Sequence, residues 1–268
     1  MAKQDDERIK RFVRERYGEI ARQQTPSCCP PQSEEAVTCC GPGAELTSYA
    51  RRLYGPEELD ALSVNIPSLG SGNPVALAEL KAGEVVLDLG SGAGLDCFLA
   101  AQWVGPQGKV IGLDMTPEMI QLARANAEKL SLDNVEFRLG EMEHMPIEAS
   151  SVDVVISNCV INLSPDKDAV FGEVFRVLKP GGRMCVSDIV THGELPAEVR
   201  ESVEQWAGCV AGALEEKVFL EKIGAAGFVE VSLEGRNPPL CAEATTPGTE
   251  PAKGEGIASI TMTAYKPK

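Results

Sequence analysis

Between residues 84 and 190 short apolar runs alternate with amphipathic segments, and this alternation leaves few folds open. EVVLDL (84–89), KVIGLD (109–114), VEFRL (135–139), VDVVIS (152–157) and RMCVSDIV (183–190) read as strands. Residues 95–104, 117–131 and 166–178 read as the helices between them. Thr116 suits the cap of the second helix and Pro117 its first position, while Pro180-Gly181-Gly182 stops the third. Strands that alternate with helices imply a doubly wound, parallel α/β sheet with right-handed crossovers.

The flanks lack this regularity. Residues 4–22 predict an amphipathic helix, with Ile9, Phe12, Val13 and Ile20 at helical spacing. Prolines and glycines make 25–45 a loop, which holds four of the nine cysteines: Cys28, Cys29, Cys39 and Cys40. Short helical pieces fill 46–80, interrupted by Pro56, Pro67 and Gly70-Ser71-Gly72. Helices at 197–207 and 216–226, a strand at 227–234, a loop to 255 and a strand at 257–265 complete the chain. The expected organisation is an N-terminal helix and Cys-rich extension (1–72), a ligand-binding core (73–192) and a C-terminal α+β part (193–268).

Charge and cysteine usage narrow the function. Twenty-five basic against 40 acidic residues give a net charge of −15, the wrong sign for nucleic acid or an anionic membrane as main partner. No run of ~18 apolar residues predicts a membrane span. MAKQDDERIKRF has no apolar stretch of the signal-peptide kind, so the expected location is cytoplasmic. An odd cysteine count without a secretory signal favours reduced thiols over a disulfide framework. No heptad pattern or exposed apolar helix stripe argues for a stable dimer, so a monomer is expected.

The turn LDLGSGAGLD carries Asp88, Gly90, Ser91, Gly92 and Gly94 between the first strand and its helix. Glycines there permit a tight turn and close approach of a ligand to backbone N–H groups. The spacing is G-x-G-x-G, whereas a dinucleotide site prefers G-x-G-x-x-G. Asp114 ends the second strand, where a carboxylate can accept from ribose hydroxyls, and Met115 follows it to pack on an adenine. Glu141 and Met142 follow the third strand, with a carboxylate placed to meet the adenine amino group, and Asn158 ends the fourth. Together these features, over roughly residues 80–190, resemble a class I S-adenosylmethionine-dependent methyltransferase. An ordinary dehydrogenase-type fold fits the glycine spacing less well.

The cysteines point to the acceptor. Cys159 lies in SNCVINL-PDK after the fourth strand, and Cys209 in W-x-G-C-x-x-G-A-L among small residues. With YGPEEL, LGSGNP and LDLGSGAGLD, these motifs resemble the arsenite methyltransferases across almost the whole chain. The resemblance implies methyl transfer from S-adenosylmethionine to trivalent arsenic held by Cys159 and Cys209, in arsenic detoxification, with a thiol reductant such as thioredoxin or glutathione. Soft thiolates suit a soft centre, and only the thiolate is a good ligand. Most of the family carry a cysteine where this chain has Ser71. Two thiols match methylarsenite and three match arsenite, so the resemblance with Ser71 implies a preference for methylarsenite. Cys39 or Cys40 fits the family's N-terminal cysteine, whose disulfide partner is the one missing here. The loop pairs could also capture arsenic from solution, or be merely tolerated. Cys97, Cys185 and Trp206 read as packing residues, and His144 and His192 are too isolated for a metal site. Two other readings remain: methylation of an organic small molecule, and non-catalytic metalloid binding.

Overall fold

The structure is a computed structural model that describes residues 2–24, 51, 53–60, 62, 66, 70–193, 195, 197–200, 202, 206, 208–237 and 256–268. Cys28, Cys29, Cys39, Cys40 and Cys241 lie outside the described residues. In chain order the elements are α1 (Ala2–Gln24), α2 (Pro56–Asp60), α3 (Pro74–Leu77), β1 (Val85–Leu89), α4 (Leu95–Val104), β2 (Lys109–Asp114), α5 (Pro117–Leu130), β3 (Val135–Leu139) and β4 (Val152–Asn158). A 3-10 turn (Ile161–Leu163), α6 (Lys167–Val177), β5 (Leu178–His192), α7 (Ala197–Arg200), α8 (Glu216–Ala225), β6 (Val229–Asn237) and β7 (Gly256–Tyr265) follow.

All seven strands form one sheet in the order β3-β2-β1-β4-β5-β7-β6. β1 to β5 pair in parallel. β7 runs antiparallel to β5, from Arg183↔Tyr265 to His192↔Gly256, and β6 antiparallel to β7. The chain winds outward from β1 in one direction and from β4 in the other. The crevice outside the carboxyl ends of these two strands is therefore the topological switch point, where open α/β sheets take their ligands.

Successive strand residues feed opposite cores. Val86, Val154, Ile156 and Cys185 pack with α3, α4 and α5. Leu87, Leu89, Val155, Met184 and Val186 pack with α6 and α8 on the other face, where Val13 of α1 also lies. Burial on both faces is why these strands read as continuous apolar runs without alternation. α4 is buried over nearly its whole length, Cys97 included.

Three local details differ from the sequence reading, each for a local reason. Thr116 is the N-cap of α5, but its hydroxyl makes no cap bond; the Asp114 carboxylate accepts the Thr116 N–H instead (2.8 Å). Asp166 caps α6, accepting the Ala169 N–H (3.0 Å), so the helix begins one residue later than the pattern suggested. β5 starts at Leu178, not 183, and the pairing skips from Val152↔Leu178 to Val154↔Arg183. Pro180 has no N–H for a ladder, and this irregularity accommodates it.

Phe171 and Phe219 are fully buried and meet edge to face, with ring centroids 5.4 Å apart. Phe171→Ala removes this contact and leaves a cavity, so urea denaturation is expected to show a loss of about 3–5 kcal/mol. A loss below ~1 kcal/mol would contradict this packing.

Candidate active site

A cleft with about 1110 Å³ of empty space, its open mouth included, lies at the switch point. Gly90, Ser91, Gly92 and Ala93 form one wall, and Asp114, Met115 and Thr116 another. Met142 and Glu143 contribute from the segment after β3, and Asn158, Cys159 and Val160 from the end of β4. The cleft is mostly apolar with a few carboxylates, a lining suited to a flat base at one end and a cationic group at the other.

The glycine turn works by close approach. Gly90 has φ +65, and a Cβ there would lie 2.3 Å from Cγ2 of Val160. Gly92 has φ +51, and a Cβ there would meet no atom within 4 Å. The N–H groups of Ser91, Gly92 and Gly94 are already spent on Leu113 O (3.0 Å), Asp114 Oδ2 (2.9 Å) and Ser91 O (2.9 Å). The turn thus brings backbone near a ligand without presenting a row of free donors. Gly94 does not line the cleft; a side chain there would collide with Phe98 and Phe137.

Two expected contact residues are turned elsewhere. Asp88 lies beneath the turn, 2% exposed, where it accepts the Cys97 thiol (3.2 Å). Burial and the neighbouring Asp96 charge push its carboxyl well above the usual range. Glu141 does not line the cleft; it is held by Lys10 (2.7 Å) and Arg14 (3.1 Å) of α1. The carboxylate that does reach the cleft from this segment is Glu143, which pairs with Lys10 (3.1 Å) and accepts from Ser164 Oγ (2.7 Å).

Asn158 lines the cleft, but its amide is occupied. Its Nδ2 faces Tyr54 Oη (2.9 Å), Gly72 O (2.8 Å) and Asp96 Oδ2 (3.1 Å). Its Oδ1 accepts the N–H groups of Ser71 (2.9 Å) and Gly72 (3.2 Å). Tyr54 completes the knot by donating to Asp96 Oδ1 (2.8 Å). A Cβ at Gly70 would fall 2.2 Å from Asn158 Nδ2, and one at Gly72 would fall 2.1 Å from Ser187 Oγ. Gly-Ser-Gly is thus a place of close contact, not only a break between helices.

Sequence reasoning missed Tyr54 and Asp96, and also Lys10, Val13, Tyr17 and Ile20 of α1, which line the cleft. The apolar stripe on α1 was visible; what it covers was not. Asp96 is buried, and burial raises its carboxyl to about 6. Burial also raises Asp114.

At the inner end of the cleft the two motif cysteines meet. Cys159 lines the cleft; Cys209 sits behind it and donates its thiol to the Cys159 carbonyl (2.8 Å). Both are buried, and both take left-handed backbone, with φ +58 and +64. Such strain in residues with a Cβ concentrates at functional sites. Ser71 is the third side chain here, within hydrogen-bond reach of Cys159 and 3.4 Å from Ser187 Oγ. The Cys159 thiol lies well above its ordinary pKa, because it donates its proton to the Cys209 sulfur and because it is buried. Beneath the pair lies Lys167, whose ammonium donates to Ser164 O (2.8 Å) and sits 5.5 Å from the Trp206 ring centroid; burial lowers it to about 8. Trp206 donates its indole N–H to Leu163 O (3.1 Å) and packs on the core, as expected. No group of three or more His, Cys, Asp or Glu side chains placed to hold a metal ion occurs among the described residues.

The strand order, the antiparallel β7, the glycine turn and the Asp114 strand tip define a Rossmann-like S-adenosylmethionine-dependent methyltransferase. A family profile described as a methyltransferase domain matches residues 80–230. The arsenite methyltransferase of Halobacterium salinarum is 42% identical over 273 residues, covering 100% of this chain and 69% of that protein. That of Mus musculus is 34% identical over 235 residues, covering 83% of this chain and 59% of that protein. The crystal structure of an arsenic (III) S-adenosylmethionine methyltransferase from Chlamydomonas reinhardtii superposes with a TM-score of 0.63 at 33% identity, over 80% of this chain and 74% of that one. The chain belongs to the arsenite methyltransferase family.

Two outcomes follow from these charges. Because the Cys159 thiol is raised, its alkylation by iodoacetamide, followed by peptide mass spectrometry, should keep rising with pH where an ordinary exposed cysteine has levelled off. A plateau at or below the ordinary thiol range would contradict the hydrogen-bonded thiol pair. Asp96 is ionised above about pH 6 and neutral below it, so the cleft loses negative charge as pH falls through that value. Calorimetry should show S-adenosylmethionine, which carries a sulfonium charge, binding several-fold more weakly at pH 5 than at 7.5. S-adenosylhomocysteine should change less, and equal changes for both would contradict the charge argument.

Proposed function

We propose that this chain transfers a methyl group from S-adenosylmethionine to trivalent arsenic bound by Cys159 and Cys209, with methylarsenite preferred to arsenite. The observation that carries the reading is the juxtaposition of one thiol in the wall of the cleft with a second hydrogen-bonded behind it. An organic acceptor would need neither.

The cleft residues fit the donor. Asp114, at the tip of β2, would hold the ribose hydroxyls, and Met115 and Met142 offer apolar surface to the adenine. Gly90 to Gly92 would let the methionine part approach the backbone, and Asp96 would face its positive charge. When bound, S-adenosylmethionine supplies an electrophilic methyl group. The protein's part is to orient and to keep water away.

For the acceptor, two thiols condense with two hydroxyls of the arsenic species and release two waters. Arsenic is then pyramidal, with its lone pair free to take the methyl group. No general base acts on arsenic itself, but each thiol must lose its proton as its hydroxide leaves as water. Methylation oxidises the arsenic, so return to the trivalent state requires a thiol reductant, such as thioredoxin or glutathione. A reducing cytoplasm, a monomeric protein and a role in arsenic detoxification belong to the same reading.

The substrate preference rests on Ser71. Its hydroxyl occupies the third place beside the pair, where a soft ligand would be needed to replace the last hydroxyl of arsenite. Methylarsenite already carries carbon there.

The test is a paired turnover assay with S-adenosylmethionine and a thiol reductant, with methylated arsenic species separated and counted. Methylarsenite should turn over at least ten-fold faster than arsenite, and Ser71→Cys should raise the arsenite rate several-fold relative to methylarsenite. Equal rates in the parent would overturn the preference. No turnover of either arsenical, or full activity in Cys209→Ala, would overturn the arsenic reading.

A further inference from the structure

Neither strained cysteine is held by its own segment alone; one carboxylate secures both. Asp188 on β5 is fully buried, with no ion pair within 4 Å among the described residues. Backbone and amide N–H groups solvate it instead. Its Oδ2 accepts from the backbone of Ile161 (3.1 Å), two residues past Cys159. Its Oδ1 accepts from the backbone of Ile189 (2.8 Å) and from the Asn162 amide (2.9 Å). The same Asn162 nitrogen lies 2.6 Å from Ile189 O and 3.4 Å from the carbonyl of Cys209. The Cys209 loop presses on Asn162 from the far side, since a Cβ at Gly212 would fall 2.1 Å from Asn162 O. Asp188 thus fixes the Cys159 loop directly and the Cys209 loop through Asn162. Neither Asp188 nor Asn162 lines the donor cleft.

We propose that Asp188 and Asn162 are positioning residues of the acceptor site, setting the separation of the two thiols to the bite of one trivalent arsenic atom. The assignment rests on the arsenic reading above and deepens it. Two thiols held ready at the right spacing bind as a chelate, with the second bond formed at high effective concentration. Two thiols on loops free to part must first be brought together.

The carboxylate is needed because both of its oxygens accept. An amide at position 188 has one oxygen, so its NH2 must face either Ile161 N–H or the pair from Ile189 and Asn162. Asp188→Asn keeps the shape and breaks the hub. Asn162→Ala leaves Asp188 its backbone donors and removes the amide that bridges it to Ile189 O and to the carbonyl of Cys209.

The experiment uses the full chain in a Cys28→Ser, Cys29→Ser, Cys39→Ser, Cys40→Ser, Cys241→Ser background, so that only the buried thiols remain. Phenylarsine oxide, a trivalent arsenical with two exchangeable positions, is titrated in. S-adenosylmethionine binding is measured calorimetrically alongside, and iodoacetamide labelling of Cys159 and Cys209 is followed by peptide mass spectrometry. Each variant should bind the arsenical at least ten-fold more weakly, hold the donor within two-fold of the parent and label at each thiol no more slowly. That combination separates lost spacing from lost structure. An arsenical affinity less than ten-fold below the parent overturns the assignment, as does a parallel fall in donor binding. If Asp188→Asn does not fold, Asn162→Ala decides the question. A parent that binds no arsenical overturns the arsenic reading and this assignment with it.

Discussion

The side-chain amide of Asn158 is the interaction on which the site depends. It stands at the tip of β4 and joins three segments that the sequence keeps far apart: Tyr54, the Gly70–Gly72 stretch and Asp96 on α4. Its hydrogen bonds to both faces of the 70–72 backbone place Ser71 beside Cys159. Its contact with Asp96 fixes a carboxylate in the cleft. Glycine at 70 and 72 follows from the same contact, because the backbone must lie almost against the Asn158 and Ser187 side chains. One polar side chain thus links the wall of the cleft to the place of Ser71 beside Cys159.

Buried charge is the second theme. Asp88, Asp96, Asp114 and Asp188 are all raised by burial, and none depends on an arginine or lysine in direct contact. They are kept in place by N–H, O–H and S–H donors. Burying a carboxylate costs several kcal/mol unless donors satisfy it, so each marks a point where position matters more than stability. Around the cleft the negative charge would suit a cationic ligand. Behind the cysteines it organises backbone. The ion pairs of α1 play a different part: Lys10, Arg14 and Arg22 fasten a helix across the cleft by partly exposed contacts that salt would weaken.

Much of the fold was legible because its causes are local. The five parallel strands and three crossover helices announced themselves as apolar runs and periodic segments, and their bounds moved by a residue or two where a cap intervened, as at Asp166. The exception was Pro180-Gly181-Gly182, which reads as a stop but sits in an irregular start of β5. Pairing with β4 resumes beyond it at Arg183, where pairing with β7 begins, and no local signal carries that information. The candidate site was legible wherever a motif lies at a strand tip, as with Gly90, Asp114, Asn158 and Cys159. It was not legible at Tyr54, Lys10 or Asp188, whose residue types are common and whose partners lie on other elements. Glu141 shows the converse: its place after β3 suggested a ligand contact, yet α1 supplies cations nearer to it than the cleft.

The sequence by itself determined the sheet, the glycine turn, the two cysteine motifs and the serine at 71, because each depends on residue type and short-range spacing. Tertiary structure decided that Cys209 would stand behind Cys159, that α1 would cover the cleft and that Asn158 and Asp188 would spend their polar atoms on holding loops. Those outcomes depend on backbone passing within a side chain's reach of segments from 26 to more than 100 positions away. Hydrogen-bond satisfaction among buried groups selects that arrangement only once the chain is folded.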